Sequence, residues 1–582
     1  MNRRLFLRRN AAVLSTSAPA VARQTVPGTA PATAAAQTDP PETVSRYANK
    51  ALPTGLARTT STLTPYTGTW GQDQAAHLLR RCLFGPIRTE VLAAAGSTLT
   101  AVLNGLLAVP ATAPDPPVNV SATDTSVPIG QTWTTQVFDQ NFEGVRRTSL
   151  RDWWLGQQLG QSTSLVEKMT LFWSNHFVVA LNDINDARMG YEYCRLLRQY
   201  ALGNVKQLAM DVTVTPAMLR YLNGNASVVG SPNENYGREL LELFTVGKGP
   251  LIGAGNYTNY TEADVQAAAR VLTGWRDLNA PVSSYFTASR HDATTKVFSA
   301  AFGNASITSG GNTEYQSLIN LIFQQAETAR FIVRKLYRWF VYYLIDTQVE
   351  TDIIQPLATL LIQNNFEVVP VLRKLLGSEH FFDVLNRGCL IKSPLDFTVG
   401  LCRQMQVAFP LASNVTMQYG MWDYLIGMAV VQQQILGDPP NVAGWVAYYQ
   451  TPQFHELWIN AVTLPRRNQV TDSFIGSGYT RNGIKIVIDA VALVQALPAA
   501  TASDCNLLIA DFARLMVPIE LTVNQLAFLK SALLPGLPDF EWTVEWQQYL
   551  AAPTVVAKKT AVNTKLQAML RALMGLAEYH LS

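Results

Sequence analysis

Residues 231–244 hold the densest cluster of carboxylates in the chain, inside its clearest helical pattern. At helical spacing, Asn235, Glu239 and Glu242 form a polar stripe beside an apolar stripe that faces a core. Two acids at the edge of a core can bind a metal or activate water, and they can equally form structural ion pairs with arginines. Both interpretations stay open from the sequence.

Two histidines and an aspartate extend this candidate site. His176 falls on the apolar face of a predicted helix over 165–177, where a buried imidazole needs a hydrogen-bond partner. His291 and Asp292 are neighbours in a predicted strand-and-loop segment, and loops on rigid scaffolds often carry function. The alternatives are a core histidine and an ordinary polar turn.

Together these residues support an enzyme hypothesis, a hydrolase in which a divalent metal or a carboxylate activates water and a histidine moves the proton. It predicts that the five side chains converge: His176, Glu239, Glu242, His291 and Asp292. The alternative is a non-catalytic binding or assembly protein, which recognises a glycan or a partner protein. It would use aromatic side chains, whose competing interpretation is core packing: Trp422, Tyr424, Trp445, Tyr448, Tyr449, Phe454 and Trp458.

Helical periodicity predicts a mainly α fold, one large multi-helix domain over residues 69–582. Irregular insertions are predicted at about 109–141 and 283–311. Ser231 is predicted to cap the helix of the carboxylate cluster, with Glu234 completing a capping box. Thr261 is predicted to cap a helix that runs to Thr273.

The N-terminal residues 1–22 have the pattern of a twin-arginine signal peptide, with Arg3-Arg4 before Phe6-Leu7. We therefore expect export to the periplasm or the extracellular space. Residues 23–68 are rich in Ala, Thr and Pro and are predicted to be a flexible leader.

Composition excludes several classes of protein. Apolar residues make up 48% of the 582 and the net charge is only +3, which indicates a folded protein and disfavours nucleic acid as a partner. No apolar run is long enough for a transmembrane segment. The five cysteines contain no Cys-x-x-Cys pair and are expected to be mostly free. No nucleotide-binding motif, His-Glu-x-x-His motif or nucleophile elbow occurs, so the cofactor is unknown and a divalent metal is the candidate.

Several segments resemble a bacterial family of unknown function, DUF1800, and occur in that family's order: 77–86, 172–177, 233–244, 260–265, 272–275, 291–292 and 439–445. The resemblance implies an exported, mainly helical protein that is often encoded beside a sulfatase-like protein, and it implies no activity. Ser174 stands where many members have a second histidine, which weakens the case for a histidine-based metal centre.

Overall fold

Helices form most of the regular structure in the computed structural model, which describes residues 59–449 and 453–582. This confirms the mainly α fold class. The α-helices before residue 275 are Gln72–Cys82, Arg88–Ala95, Leu99–Leu106, Glu143–Leu159, Val166–His176, Leu181–Ile184, Ala187–Gln199, Val205–Thr213, Pro216–Tyr221, Glu234–Glu239 and Glu262–Val271.

The rest of the chain is also built from short helices. Its α-helices are Glu314–Phe323, Ala326–Phe340, Thr347–Val349, Gln355–Gln363, Val368–Leu376, Glu379–Phe382, Pro394–Gln404, Val415–Val430, Val446–Tyr449, Thr463–Ile475, Ala490–Gln495, Ala499–Ser503, Cys505–Met516, Val523–Leu533, Phe540–Ala551 and Val556–Met574. Two π-helical turns, Leu240–Phe244 and Glu350–Ile354, each adjoin an α-helix.

The strands form antiparallel two-stranded ribbons at the edges of the helical body. The pairs are Leu251–Gly253 with Asn256–Tyr257, Trp275–Asn279 with Val282–Phe286, Lys296–Val297 with Ser306–Ile307, and Tyr479–Arg481 with Ile484–Ile486. The second and third ribbons lie in or beside the segment 283–311, whose strand-and-loop character the sequence predicts.

The helix of the carboxylate cluster begins later than the capping pattern predicts. Asn233, and not Ser231, is the cap, because the Asn235 N–H donates to its side-chain oxygen at 2.9 Å. Ser231 instead forms a bridge with Val228, which turns it away from the helix. Thr261 caps its helix as predicted, and a capping box with Asp264 is present.

The segment 109–141 has no helix or strand, yet part of it is buried. The Trp133 indole is fully buried, and its Nε1 donates to Ser149 Oγ at 3.1 Å. Arg146 Nε donates to Asp124 Oδ2 at 2.7 Å in a second buried contact. The segment is therefore anchored to the helix Glu143–Leu159, and only part of it is a surface excursion.

The predicted signal peptide and residues 23–58 of the predicted leader lie outside the described residues. Residues 59–68, the end of that leader, run against the segment 377–383. The Tyr66 N–H donates to the Gly377 carbonyl oxygen at 2.9 Å, and the Thr59 and Ser61 hydroxyls donate to Asp383. Packing against the helical body therefore includes at least the ten residues before position 69, the predicted start of the domain.

One hydrophobic core runs through the helical body, and a small satellite cluster contains Trp445, Ala447 and Trp458. All five cysteines are free thiols, as expected. Over the ranges that the structure describes, every helix is too short or too polar to cross a membrane.

Candidate anion-binding pocket

His176 lies at the buried end of the helix Val166–His176, and both ring nitrogens have partners. Nε2 donates to the Phe244 carbonyl oxygen at 2.9 Å, so Nδ1 is the acceptor for Lys335 Nζ at 3.2 Å. Burial, and then the Lys335 ammonium, hold the pKa of His176 well below its ordinary value. Neither nitrogen is left to exchange a proton with a substrate.

Glu239 and Glu242 lie one turn apart but have different neighbours. Glu242 accepts a hydrogen bond from the Tyr260 hydroxyl at 3.1 Å and pairs with Lys248 Nζ at 2.5 Å. Burial first, and then the carboxylates of Asp183, Glu239 and Asp438, raise the pKa of the Tyr221 hydroxyl. Glu239 therefore acts on the Tyr221 hydroxyl, whereas Glu242 forms an ion pair with Lys248.

His291 and Asp292 lie together around Thr273. His291 Nδ1 donates to the Thr273 carbonyl oxygen at 2.9 Å, and Nε2 bonds Glu314 Oε2 at 2.6 Å. Asp292 accepts from Arg270 Nε at 2.7 Å. Burial acts to raise the pKa of the Asp292 carboxyl group. Hydrogen bonding to Arg270 outweighs burial and holds this pKa below its ordinary value.

The structure thus brings His176 to the segment that carries Glu242, and it brings His291 to Asp292. These two groups use different hydrogen-bond partners. Within residues 59–449 and 453–582, no group of three or more His, Cys, Asp or Glu side chains is placed to hold a metal ion. The catalytic role of the five residues stays a prediction.

A different part of the molecule has the clearest binding geometry. A pocket of about 50 Å³ lies where five segments and Ser582 meet. The helix Gln72–Cys82 supplies two arginines, the helix Val166–His176 a lysine, and the helix Ala326–Phe340 an arginine and a tryptophan. The other walls are the segment 390–404 and the segment 447–458. The volume suits a few water-sized groups, since one water needs roughly 10–15 Å³.

Positive charge dominates the wall of this pocket. Among its described lining side chains, one carboxylate, Asp396, stands against five cations: Arg80, Arg81, Lys168, Arg338 and Lys392. Ser582, the last residue of the sequence, also lines the pocket. Asp396 is already engaged, because it pairs with Lys168 and accepts from the Ser393 hydroxyl at 3.0 Å. Arg467 lies just behind the wall, fully buried, and donates to the Lys392 carbonyl oxygen at 2.8 Å. The pocket is therefore short of negative charge.

The two buried arginines are held by carbonyl oxygens and not by carboxylates. Arg80 Nη2 donates to the carbonyls of Arg514, Leu515 and Val517 at 3.2–3.3 Å. Arg81 Nη2 donates to the carbonyls of Val341 and Asn386 at 3.2 and 3.1 Å. Both guanidinium groups are fixed in place while their charge stays unneutralised.

Four buried polar atoms in the wall have no hydrogen-bond partner among the residues described, and all four are donors: Arg80 Nε, Arg81 Nε, Trp339 Nε1 and His455 Nε2. His455 is a donor at Nε2 because its Nδ1 accepts the Ile391 N–H at 3.3 Å. A buried donor without a partner costs about 1–3 kcal/mol. The wall therefore needs an acceptor.

Burial first, and neighbouring cations second, lower the pKa values of three groups in the wall. Burial, and then Arg80 and Arg467, hold the pKa of Lys392 well below its ordinary value. Burial, and then Arg81, lower the pKa of Arg80 to about 10. Burial, and then Arg81, lower the pKa of His455 to about 4. A bound anion would oppose all three shifts.

The aromatic residues of the binding alternative mostly pack inside the protein. Trp445, Phe454 and Trp458 are buried, and Trp422, Tyr424 and Tyr448 are partly buried. The Tyr449 side chain lies outside the described part of the structure. The described aromatics form no exposed groove, although Tyr448 and Trp458 line the cationic pocket.

Two of the segments that carry the family resemblance meet beside this pocket. Asn175 Oδ1 accepts the Trp445 N–H at 2.8 Å, and Gly444, at φ +83°, lies against the same amide. A family model described as a protein of unknown function (DUF1800) matches residues 77–580. The chain belongs to the DUF1800 family. No curated protein and no solved structure matches this DUF1800 chain.

Sequence reasoning on this DUF1800 chain missed the cationic pocket. Arg80 and Arg81 fall in the resemblance segment 77–86, to which the sequence assigns no site, yet both are buried, between Leu79 and Cys82. The available signal was a pair of arginines inside the run 75–84, whose remaining residues leave little polar surface. Lys392 gave no local signal, because its burial depends on contacts with residues 467 and 579.

Proposed function

We propose that this DUF1800 protein binds the anionic group of a small organic molecule in the cationic pocket. The observation that supports the proposal is the set of four buried donors in its wall, none of which has a described partner. A carboxylate or a tetrahedral oxyanion supplies several acceptor lone pairs at once and neutralises the surrounding arginines. The small volume fits the charged group, with the rest of the molecule outside it.

This proposal follows the binding alternative and not the hydrolase hypothesis. Both imidazoles of the predicted catalytic set already use both ring nitrogens, so a proton transfer would first have to break a buried hydrogen bond. The hydrolase, the glycan ligand, the sulfatase-like partner and the exclusion of nucleic acid stay predictions.

We also infer export, from the pattern of residues 1–22. Replacing both Arg3 and Arg4 with lysine should retain the protein in the cytoplasm, as measured by cell fractionation. Unchanged export of that double variant would contradict the inference.

Calorimetric titration of the purified protein tests anion binding. The probes are sulfate, phosphate, acetate and benzoate at constant ionic strength, with benzamide as the neutral counterpart of benzoate. At least one anion should bind with one-to-one stoichiometry and raise the melting temperature, since a ligand at 100 times its Kd stabilises the folded state by about 2.7 kcal/mol. Binding of benzamide as tight as that of benzoate, or no saturable binding of any anion, would contradict the proposal.

A further inference from the structure

A second pocket, of about 210 Å³, lies between the segment 110–114 and the turn that joins the helices Glu143–Leu159 and Val166–His176. It shares no lining residue with the cationic pocket. Its volume is well above the roughly 10–15 Å³ that one water needs. Ser162, which is exposed, lies in its wall and opens it to solvent.

The wall holds a mixed set of unpartnered polar atoms. Gln161 is buried, and neither its amide oxygen nor its amide nitrogen has a partner among the residues that the structure describes. Glu167 is buried too, and its Oε2 also lacks one, while Oε1 accepts from Arg198 Nε at 2.8 Å. One donor and two acceptors of lining residues are thus left over, and because each exposes almost no surface, the two side chains must turn toward the cavity to meet a ligand.

Three buried polar atoms without partners call for an explanation, since most such groups in folded proteins are hydrogen-bonded. We propose that this second pocket binds a neutral polyhydroxyl ligand, such as a sugar residue, through Gln161 and Glu167.

The chemistry of the wall selects that class. Glu167 and Arg198 pair, so the lining carries no net charge, in contrast to the cationic pocket. Neighbouring hydroxyl groups each donate and accept, and they match an amide beside a carboxylate oxygen. Pro110, Pro114 and Val166 supply apolar surface for the C–H face of a sugar ring. The Glu167 carboxylate would repel an anionic ligand, and the Arg198 guanidinium group would repel a cationic one.

The backbone around the two polar side chains is fixed. Arg403 Nη1 donates to the carbonyl oxygens of Leu159 and Gln161 at 2.7 and 3.2 Å, which holds the turn. The Ser164 hydroxyl donates to the Ala108 carbonyl oxygen at 2.9 Å, which ties the turn to the start of the irregular segment. A preorganised wall lowers the ordering cost of binding.

Binding of the full-length protein to an array of neutral mono- and oligosaccharides, followed by calorimetry on the best ligand, tests the proposal. Gln161→Leu should weaken that ligand at least tenfold, and Glu167→Gln, which keeps the side-chain shape, should weaken it as well. Gln158→Leu is the matched control, because Gln158 is an equally buried glutamine on the preceding helix that does not line the pocket. Its affinity should stay within twofold of the wild-type value.

Two results would overturn the proposal. The first is the absence of binding to every neutral saccharide on the array. The second is an equal loss of affinity in Gln158→Leu and Gln161→Leu, which would reflect the fold and not the pocket. A saccharide that binds unchanged while the anion site is saturated separates this site from the proposed anion-binding function.

Discussion

The Ile391 N–H donates to His455 Nδ1 at 3.3 Å, which leaves the His455 Nε2 hydrogen in the wall of the cationic pocket without a partner among the described residues. Burial keeps this imidazole neutral at ordinary pH, because its pKa lies at about 4. The ring is therefore a fixed, uncharged donor. Together with Arg80 and Arg81, it gives the residues of the pocket wall three buried N–H donors without a partner among the described residues.

Anion affinity should fall as pH rises. Lys392 Nζ, buried, donates to the Tyr579 carbonyl oxygen at 2.6 Å, and its pKa is held down by burial and then by Arg80 and Arg467. Below the pKa that Lys392 has without an anion, the ammonium is present before and after binding. Above that pKa, binding takes up a proton and the affinity falls by up to about tenfold per pH unit.

Calorimetry between about pH 6 and about pH 9, in two buffers of different ionisation enthalpy, measures this proton uptake. Lys392→Met should bind more weakly at low pH and lose most of the pH dependence. A proton uptake of the same size in Lys392→Met would assign the effect to another group.

His455 should make the protein sensitive to mild acid. The folded pKa of about 4 is below the unfolded value of about 6.5. The neutral His455 imidazole therefore contributes fully to the free energy of unfolding above about pH 6.5, and this contribution is lost as pH falls towards 4. Between about pH 7 and about pH 4.5, the wild-type protein should lose about 2.4 kcal/mol more than His455→Gln, as measured by urea unfolding. Equal losses in both proteins would refute this assignment.

Glu314 should be essential to the fold around His291. It is fully buried, its Oε2 lies 2.6 Å from His291 Nε2, and it pairs with the equally buried Lys296. Glu314→Gln leaves a buried ammonium without its counter-charge and should cost about 3–5 kcal/mol of unfolding free energy. Glu234→Gln is the control, because its ion pair with Arg238 is exposed and should matter by less than about 1 kcal/mol. A small effect of Glu314→Gln would indicate a functional and not a structural role for this group.

Gly444 should tolerate no side chain. A Cβ there would lie 2.3 Å from Asn175 Oδ1, and the backbone φ is +83°. Gly444→Ala should destabilise the protein by more than about 2 kcal/mol, from the contact and the strained backbone together. Gly483 has a similar φ of +79°, but a Cβ added there would have no atom within 4 Å. Gly483→Ala therefore isolates the backbone cost of roughly 1–2 kcal/mol. Equal losses of unfolding free energy in Gly444→Ala and Gly483→Ala would mean that the contact with Asn175 is unimportant.

The sequence predicts the helical fold well, because helix formation depends on local signals. Periodicity locates the helix Val166–His176 within one residue at each end of the prediction, and the capping pattern at Thr261 is present in the structure. The cap at Ser231 was wrong, since a bridge to Val228 that local sequence does not encode turns that residue away.

The candidate site cannot be predicted from local sequence signals, because it depends on contacts between distant segments. His176 lies on the predicted apolar face, but its partners, the Phe244 carbonyl oxygen and Lys335, are 68 and 159 positions away in the chain. The cationic pocket unites residues from 80 to 582, and no motif marks that combination.

The central claim is that donors without a partner in the pocket wall bind an anion, and Trp339→Phe tests it most directly. This change removes one such donor, Nε1, and breaks no described hydrogen bond. Trp154→Phe removes an equally buried, equally unpartnered indole N–H away from the pocket. Calorimetry with the tightest-binding anion should show a five- to tenfold weaker Kd, about 1–1.4 kcal/mol, for Trp339→Phe and no change for Trp154→Phe. An unchanged Kd in Trp339→Phe, or the same loss in both variants, would contradict the claim.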